Sequence, residues 1–190
     1  MFSTYSLANP VEHRFSFSLN LLALLGVCFS LLIAFFYQIA FNELPCPLCQ
    51  LQRLGLILVG MGFMLNAQFG PSTVHYAMVI FSALTGAASS LKQILLHIAP
   101  GDKGYGSTFL ELHFYTLGFI SFVMMIAFAA IMLLVGRKSF SPPRQQRLGL
   151  IGLLVISLFL IIALANTVSS VMVCKLGPCP DDPMQYLLSF

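Results

Sequence analysis

Five long apolar stretches make up most of this chain, and they restrict what it can fold into. They cover residues 16–40, 51–69, 74–99, 109–135 and 148–173. A helix needs about 20 apolar residues to cross the hydrocarbon layer of a bilayer, and each stretch is about that long or longer. With 58% hydrophobic and 8% charged residues, the chain lacks the polar surface of a soluble domain. The sequence therefore predicts an all-α polytopic membrane helix bundle, a four-helix core with a fifth transmembrane helix.

The distribution of basic residues predicts how the spans are oriented. Arg14 precedes the first span, and the segment between the fourth and fifth spans holds Arg137, Lys138, Arg144 and Arg147. Cytoplasmic loops carry an excess of Lys and Arg, so we expect the N-terminus and residues 137–147 in the cytoplasm. No cleavable signal is expected, because residues 1–15 include polar and charged residues and the first apolar stretch is long enough to remain as a span. Residues 1–190 then form a single membrane domain, with residues 174–190 as a tail on the outer face.

Two cysteines separated by two residues, Cys46 and Cys49, lie where the first apolar stretch gives way to the second. This spacing favours a disulfide that opens and closes, and so favours electron exchange. Pro47 suits the first turn of a helix, so Cys49 is expected near the N-terminus of the second span, where amide donors favour a thiolate. The alternatives are half of a zinc site, which would need further ligands, or a structural bridge. At a membrane the electron acceptor must dissolve in lipid, and a quinone is the obvious candidate.

Charged and polar residues inside the spans are candidate site residues, because they are costly in lipid. Arg53 follows Cys49 by one helical turn on the same face, and is predicted to stabilise the thiolate and a charged quinone oxygen. Lys92 lies eight residues before Pro100, is expected about 12 Å below the outer surface, and is a candidate quinone-binding residue. His97 lies nearer that surface and is expected to bond or protonate the quinone. The alternatives are snorkelling for Arg53 and plain interhelical hydrogen bonding for the other two.

A second cysteine pair, Cys174 and Cys179, follows the fifth span and brackets a Gly-Pro turn. Such a turn brings two sulfurs within bonding distance, so we expect a disulfide. It is either a structural clip on the tail or a second redox pair that relays electrons between a soluble partner and the first pair. Cys28, in the middle of the first span, is expected to be a buried small apolar residue.

Two stretches of the chain carry a family resemblance. One reads Cys-Pro-Leu-Cys-Gln-Leu-Gln-Arg over residues 46–53, and the other reads Lys-Gln at 92–93 and Leu-His-Ile-Ala-Pro at 96–100. With them the chain resembles the bacterial disulfide bond formation protein B family. Its members are inner-membrane enzymes that take electrons from a periplasmic thioredoxin-fold dithiol oxidase and pass them to ubiquinone or menaquinone. The resemblance implies that Cys46 and Cys49 reduce the quinone, that Arg53 contacts it and that His97 lies on its side.

The second cysteine pair departs from the pattern of that family. Its best-known members have four spans and carry the second pair in the loop between the third and fourth. Here residues 100–108 contain no cysteine, and the remaining pair on that face, Cys174 and Cys179, follows an extra fifth span. The departure leaves the identity of the partner-facing pair open.

Together these features predict a membrane thiol:quinone oxidoreductase that reoxidises a periplasmic dithiol oxidase and so supports disulfide formation. Its expected location is the bacterial inner membrane, with the N-terminus cytoplasmic and both cysteine pairs periplasmic. No metal or nucleic-acid partner is expected. Two alternatives stay open. One is a quinone reductase of the vitamin K epoxide type, whose dithiol lies on a later helix; the other is a non-enzymatic transporter or scaffold with structural disulfides.

Overall fold

The computed structural model describes residues 10–102, 104–109, 111–135, 148–174 and 179. Within these ranges the chain forms five long helices: α1 (Pro10–Ala40), α2 (Pro47–Phe69), α3 (Thr73–Leu96), α4 (Phe114–Val135) and α5 (Leu150–Cys174). All five are long and apolar enough to cross a membrane. Two short antiparallel strands, β1 (Thr108–Phe109) and β2 (Leu112–His113), precede α4. The predicted fold class is confirmed.

Helix α2 lies between α1 and α3, while α4 packs on α3 and α5 packs on α1 and, to a smaller extent, on α2. The buried side chains between them form one apolar cluster to which all five helices contribute. Its fully buried large members include Leu24, Val27, Phe63, Tyr76, Val79, Phe122 and Phe159. The fifth helix is thus part of the bundle and not an appendage.

Two glycines let three helices approach closely. A Cβ on Gly55 of α2 would lie 3.2 Å from the Cα of Gly86 on α3 and 3.3 Å from the ring of Phe122 on α4. A Cβ on Gly86 would overlap that same ring. Small residues at helix contacts are typical of membrane bundles, where close packing replaces the hydrophobic effect between helices. This packing fixes the three helices that carry much of the site described below.

The helix boundaries differ from the predicted spans at the outer ends of α2, α3 and α4. Helix α2 begins at Pro47, four residues before the predicted start, because Cys46 caps it and proline occupies its first turn. Helix α3 ends at Leu96 instead of residue 99, and His97 is its C-cap. Helix α4 begins at Phe114 instead of residue 109, because Thr108–Phe109 and Leu112–His113 pair as strands. The second outer loop therefore runs from residue 97 to residue 113.

The two outer loops are bonded to each other. The Glu43 carboxylate accepts the backbone N–H of Ser107 at 3.1 Å and also its hydroxyl group. The Tyr105 hydroxyl donates to the carbonyl oxygen of Leu44 at 2.8 Å. Gly104, with φ of +71°, adopts the left-handed backbone conformation that this path requires. The second outer loop is thus held against the short segment that precedes Cys46.

A buried polar network joins α1, α2 and α3 at the opposite end of the bundle. Asn20 donates to the hydroxyl of Tyr76 at 2.8 Å and accepts from Asn66 at 3.1 Å.

Residues 137–147, on which the predicted orientation depends, lie outside the described residues, as do residues 180–190 of the tail and the side chain of Arg14. The orientation of the bundle therefore stays a prediction.

Candidate active site

The membrane-proximal cysteines form a disulfide at the outer end of α2. Cys46 and Cys49 have Cα atoms 5.0 Å apart, within the range usual for a disulfide. Cys46 is the buried N-cap of α2, and its sulfur accepts the backbone N–H of Cys49 at 3.1 Å. The sequence prediction placed Cys49 near a helix N-terminus, and both cysteines lie there. One backbone N–H of the first helical turn, that of Cys49, is therefore bonded to a sulfur of the pair.

Two glutamine side chains from facing helices meet at this disulfide. The Nε2 atom of Gln93 on α3 lies 3.4 Å from the sulfur of Cys46 and 3.6 Å from that of Cys49. Gln52 on α2 donates to the Oε1 atom of Gln93 at 2.8 Å. Gln93 is only 2% exposed. Both glutamines lie in the two stretches that carry the family resemblance, and the sequence alone predicted no separate role for either. The one sign of a role in the sequence is a polar amide side chain within an apolar span.

A cavity of about 320 Å³ opens beside the disulfide, a volume within the usual range of small-molecule sites. Cys49 lines it, whereas Cys46 does not. The walls come from α1, α2, α3, α4 and both outer loops, and most of them are apolar or aromatic: Phe29, Ile33, Leu56, Phe109, Phe114, Leu117 and Phe122. The polar side chains in the wall include Gln38, Gln52, Arg53, Gln93, Tyr105 and Tyr115. This composition suits a flat, largely apolar ligand with a few polar atoms.

Arg53 lines the same cavity one turn below Cys49, as the spacing predicted. It is 7% exposed. Its Nη1 atom donates to Oε1 of Gln38 at 2.6 Å, and its Nη2 atom donates to the carbonyl oxygen of Ala34 at 2.9 Å. Because the guanidinium group is buried and bonded to α1, the snorkelling alternative is disfavoured. A cation held by neutral acceptors in an apolar wall attracts an electron-rich oxygen.

Lys92 and His97 do not line the cavity, which argues against the quinone contacts predicted for them. Lys92 is exposed on α3. The predicted depth of about 12 Å assumed a helix that continues to Pro100. Since α3 ends at Leu96, four residues away, Lys92 lies about one turn, roughly 6 Å, from the end of the helix. Its side chain is long enough to reach the polar interface from there.

His97 belongs to the second outer loop. Its Nδ1 atom lies 3.2 Å from the carboxylate of Asp102, and its ring stacks on Tyr115 with centroids 5.8 Å apart. The backbone N–H of Gly104 and the His97 ring both bond to Asp102, and these bonds lower the pKa of its carboxyl group. His113 stacks on the ring of Tyr115 at 5.1 Å. His97 therefore reaches the cavity only through Tyr115, which lines it.

The second pair forms the expected disulfide, and α5 carries it to the first turn of α2. Cys174 and Cys179 have Cα atoms 4.6 Å apart, and Cys174 is 8% exposed. The Nε2 atom of Gln50, the residue after Cys49, lies 4.0 Å from the Cys174 sulfur. Both cysteines pack on Leu44, two residues before Cys46. The two disulfides are therefore neighbours on the outer side of the bundle.

Helix α5 also contacts the residues that hold the site. The Nε2 atom of Gln38 donates to the Ser169 hydroxyl at 2.6 Å, so Ser169 and Arg53 share Gln38 as a partner. The hydroxyl of Ser170 donates to Oε1 of Gln50 at 2.6 Å. Of these two consecutive serines, Ser169 thus bonds to the partner of Arg53, and Ser170 bonds to the glutamine beside Cys174.

Comparison with known proteins bears on this site. Residues 16–106 match the family model described as Disulfide bond formation protein DsbB. The disulfide bond formation protein B of Chromobacterium violaceum is 39% identical over 74 residues, which cover 37% of this chain and 45% of that protein. Over this segment the chain is similar to the disulfide bond formation protein B family. The resemblance seen in the sequence is thereby confirmed.

Two further proteins named disulfide bond formation protein B give the same picture. The protein of Pseudomonas syringae pv. tomato is 40% identical over 88 residues, or 43% of this chain and 52% of that protein. The protein of Stutzerimonas stutzeri is 32% identical over 90 residues, or 45% of this chain and 55% of that protein. The chain thus aligns with about half the length of the curated relatives it matches. No solved structure gives a significant match.

The family match includes one disulfide and leaves out the other. Residues 16–106 contain Cys46, Cys49, Arg53 and Gln93, together with the part of the second outer loop that holds Tyr105. They do not contain α4, α5 or the Cys174–Cys179 pair. The site is thus built from the matched segment together with two helices outside the match. Among the described residues, no three His, Cys, Asp or Glu side chains lie together as a metal site would require.

Proposed function

We propose that this chain is a thiol:quinone oxidoreductase of the bacterial inner membrane that reoxidises a periplasmic thioredoxin-fold dithiol oxidase. One observation carries the proposal: a Cys-x-x-Cys disulfide at a helix N-terminus has one sulfur-bearing residue, Cys49, in the wall of an apolar cavity that also holds the buried cation Arg53. The kinship with disulfide bond formation protein B supports the same activity. In this arrangement the N-terminus is cytoplasmic and both cysteine pairs are periplasmic.

The cavity has the features that a quinone ring needs. Its aromatic and aliphatic walls fit a flat ring, and its buried donors fit carbonyl oxygens. Arg53, Gln38 and Gln52 are the residues that would hold those oxygens, with Cys49 beside them. When bound, a ubiquinone or menaquinone supplies an acceptor for two electrons and two protons. Lys92 and His97 have no direct contact in this proposal, because neither lines the cavity.

The two disulfides suit a relay in which the exposed pair reacts first. Cys179 is partly exposed and Cys174 is buried, so the partner's thiolate attacks the Cys179 sulfur and Cys174 leaves as a thiolate. The amide of Gln50 lies beside that sulfur and stabilises its charge. The partner's second thiol then attacks the mixed disulfide, so the partner leaves oxidised and the tail pair is reduced.

The tail pair then passes two electrons to the membrane-proximal pair. Cys174 attacks Cys46, the sulfur-bearing residue outside the cavity wall, and Cys49 leaves as a thiolate that faces the cavity. Attack by Cys179 on the Cys174–Cys46 bond restores the tail disulfide and leaves Cys46 and Cys49 reduced. Arg53 holds positive charge next to the group that receives their electrons.

The experiment is quinone reduction by the purified chain in detergent, with a reduced thioredoxin-fold dithiol oxidase as the electron donor. Wild type is compared with Cys46→Ala/Cys49→Ala and Cys174→Ala/Cys179→Ala double variants, and Cys28→Ala is the control because that thiol is buried and unpaired in α1. We expect both double variants to be inactive and the control to be active. Activity of the Cys174→Ala/Cys179→Ala variant would mean that the tail disulfide is only a structural brace. Inactivity of wild type with every quinone would contradict the proposal and favour a non-enzymatic role.

A further inference from the structure

Gln93 reaches both sulfurs of the membrane-proximal disulfide from the facing helix. Its Nε2 atom lies 3.4 Å from the Cys46 sulfur and 3.6 Å from the Cys49 sulfur, and the side chain is almost fully buried. We infer that Gln93 is the hydrogen-bond donor that stabilises the reduced Cys46/Cys49 pair, with its Nε2 group placed to donate to whichever of the two sulfurs carries the negative charge. Gln93 would then set how readily this disulfide accepts electrons.

The orientation of the Gln93 amide is fixed by a second glutamine. A primary amide has an acceptor end and a donor end of almost the same shape, and either end could in principle face the sulfurs. Gln52 donates its Nε2 hydrogen to Oε1 of Gln93 at 2.8 Å. This bond occupies the acceptor end, which lies 3.9 Å from the Cys49 sulfur, and leaves the donor end as the nearer one to both sulfurs. Gln52 is therefore a positioning residue that acts through Gln93.

The same arrangement recurs at the other disulfide. Ser170 donates to Oε1 of Gln50 at 2.6 Å, and the Nε2 atom of Gln50 then faces the Cys174 sulfur at 4.0 Å. In both places a hydroxyl or amide donor holds the oxygen of a glutamine and leaves its N–H groups for sulfur. Two independent occurrences support a role in sulfur chemistry over chance packing of polar groups.

The physical reason lies in the charge that reduction creates. Two electrons break the sulfur–sulfur bond, one sulfur takes up a proton and the other is left as a thiolate. An N–H group bonds a thiolate more strongly than it bonds a neutral disulfide sulfur, because charge-assisted hydrogen bonds are the stronger class. At a buried site water does not replace a missing donor. Gln93 therefore stabilises the reduced form more than the oxidised form.

This inference rests on the proposed function in one respect, namely that the Cys46–Cys49 disulfide opens. The test equilibrates the full-length chain in detergent with dithiothreitol, which reduces a protein disulfide and is itself oxidised to a cyclic disulfide. Acid quenching, differential alkylation and peptide mass spectrometry then report each cysteine pair separately. The variants are Gln93→Leu and Gln93→Glu, with Gln68→Leu as the control, which removes the same kind of amide at the end of α2 far from the disulfide.

For the Cys46/Cys49 pair we expect the equilibrium constant of reduction to fall about tenfold in Gln93→Leu, the lower limit for a lost bond to a charged group. Gln93→Glu should lower it at least as much at pH 7.5, because the nearly isosteric carboxylate faces the thiolate. Gln68→Leu should leave it unchanged. Values within twofold of wild type in both Gln93 variants, or a shift in the leucine variant alone, would overturn the inference. If the wild-type pair resists reduction altogether, the proposed function fails with it.

Discussion

Replacing Gln38 with Glu is expected to remove most quinone reduction while the fold stays intact. Gln38 accepts from Arg53 at 2.6 Å and donates to the Ser169 hydroxyl at 2.6 Å. A glutamate has nearly the same shape, and its oxygens accept both bonds once the serine hydroxyl turns to donate. The difference between the two side chains is one negative charge, and it lies against the Arg53 guanidinium group.

The magnitude follows from the charge of Arg53. Two unit charges about 4 Å apart interact by about 4 kcal/mol at an effective dielectric constant of 20. We take this as the stabilisation that Arg53 gives to negative charge that develops in the cavity. A carboxylate bonded to Arg53 cancels about half to nearly all of it, or about 2 to 4 kcal/mol. Since about 1.4 kcal/mol corresponds to a tenfold change in rate, kcat should fall roughly 30- to 1000-fold.

The assay is quinone reduction at saturating dithiol oxidase, followed by quinone absorbance, together with thermal unfolding in the same detergent. Gln68→Glu is the matched control, because it adds the same charge at the far end of α2, one residue before Phe69 ends the helix. The control should keep wild-type turnover. A Gln38→Glu protein that melts like wild type and keeps kcat within threefold of it would refute the role given to the charge of Arg53.

Two further predictions concern the packing of the bundle and the outer loop. Gly86→Ala should destabilise the protein by about 1–3 kcal/mol, because its Cβ overlaps the ring of Phe122; Gly26→Ala, with open space around it, should change stability by less than about 1 kcal/mol in denaturant titrations. The pKa of Asp102 is lowered by its bonds to Gly104 and His97. The stability that this carboxylate gives to the loop is therefore present above its unfolded-state pKa, and it is lost as the pH falls through the lower folded-state pKa. The protection factor of the Gly104 amide, which compares its hydrogen-exchange rate with the intrinsic rate at the same pH, should therefore stay constant from neutral pH to about pH 4 and fall only below it; a lower protection factor already at pH 6 would contradict this account.

The spans and the dithiol could be predicted from the sequence because both signals are local. A run of about 20 apolar residues identifies a helix, and the Cys-x-x-Cys spacing with Pro47 marks a helix N-terminus. The spacing of Cys49 and Arg53 places both on one face for the same reason. These inferences depend on one helix at a time, and the structure has both residues in the wall of one cavity.

The partners of Arg53 and of the disulfide could not be predicted, because they depend on which helices meet. Gln38 and Gln93 are far from their partners in the sequence, and an isolated glutamine in an apolar span does not indicate its neighbour. The predicted depth of Lys92 depended instead on the residue at which α3 ends. Helix α3 ends three residues before the predicted end of its span, and α4 begins only after the strand pair. Residues that were predicted to lie in the helices near the outer surface therefore lie in the loop. Boundaries of this kind are the least reliable part of such predictions.

In the proposed relay, the cysteine pair at the end of α5 takes the place of cysteines in the second outer loop. That loop is fastened to the first by Glu43 and Ser107, and the second disulfide approaches the first from α5 instead. If Ser170 holds Gln50 toward Cys174, Ser170→Ala should slow electron transfer from the dithiol oxidase several-fold, while direct reduction of quinone by pre-reduced Cys46/Cys49 stays at the wild-type rate. Stopped-flow measurement of the two half-reactions separates these steps, and Thr167→Ala, one turn earlier on the same helix, is the control. Equal slowing of both half-reactions would mean that Ser170 supports the whole bundle and that α5 has no separate part in the relay.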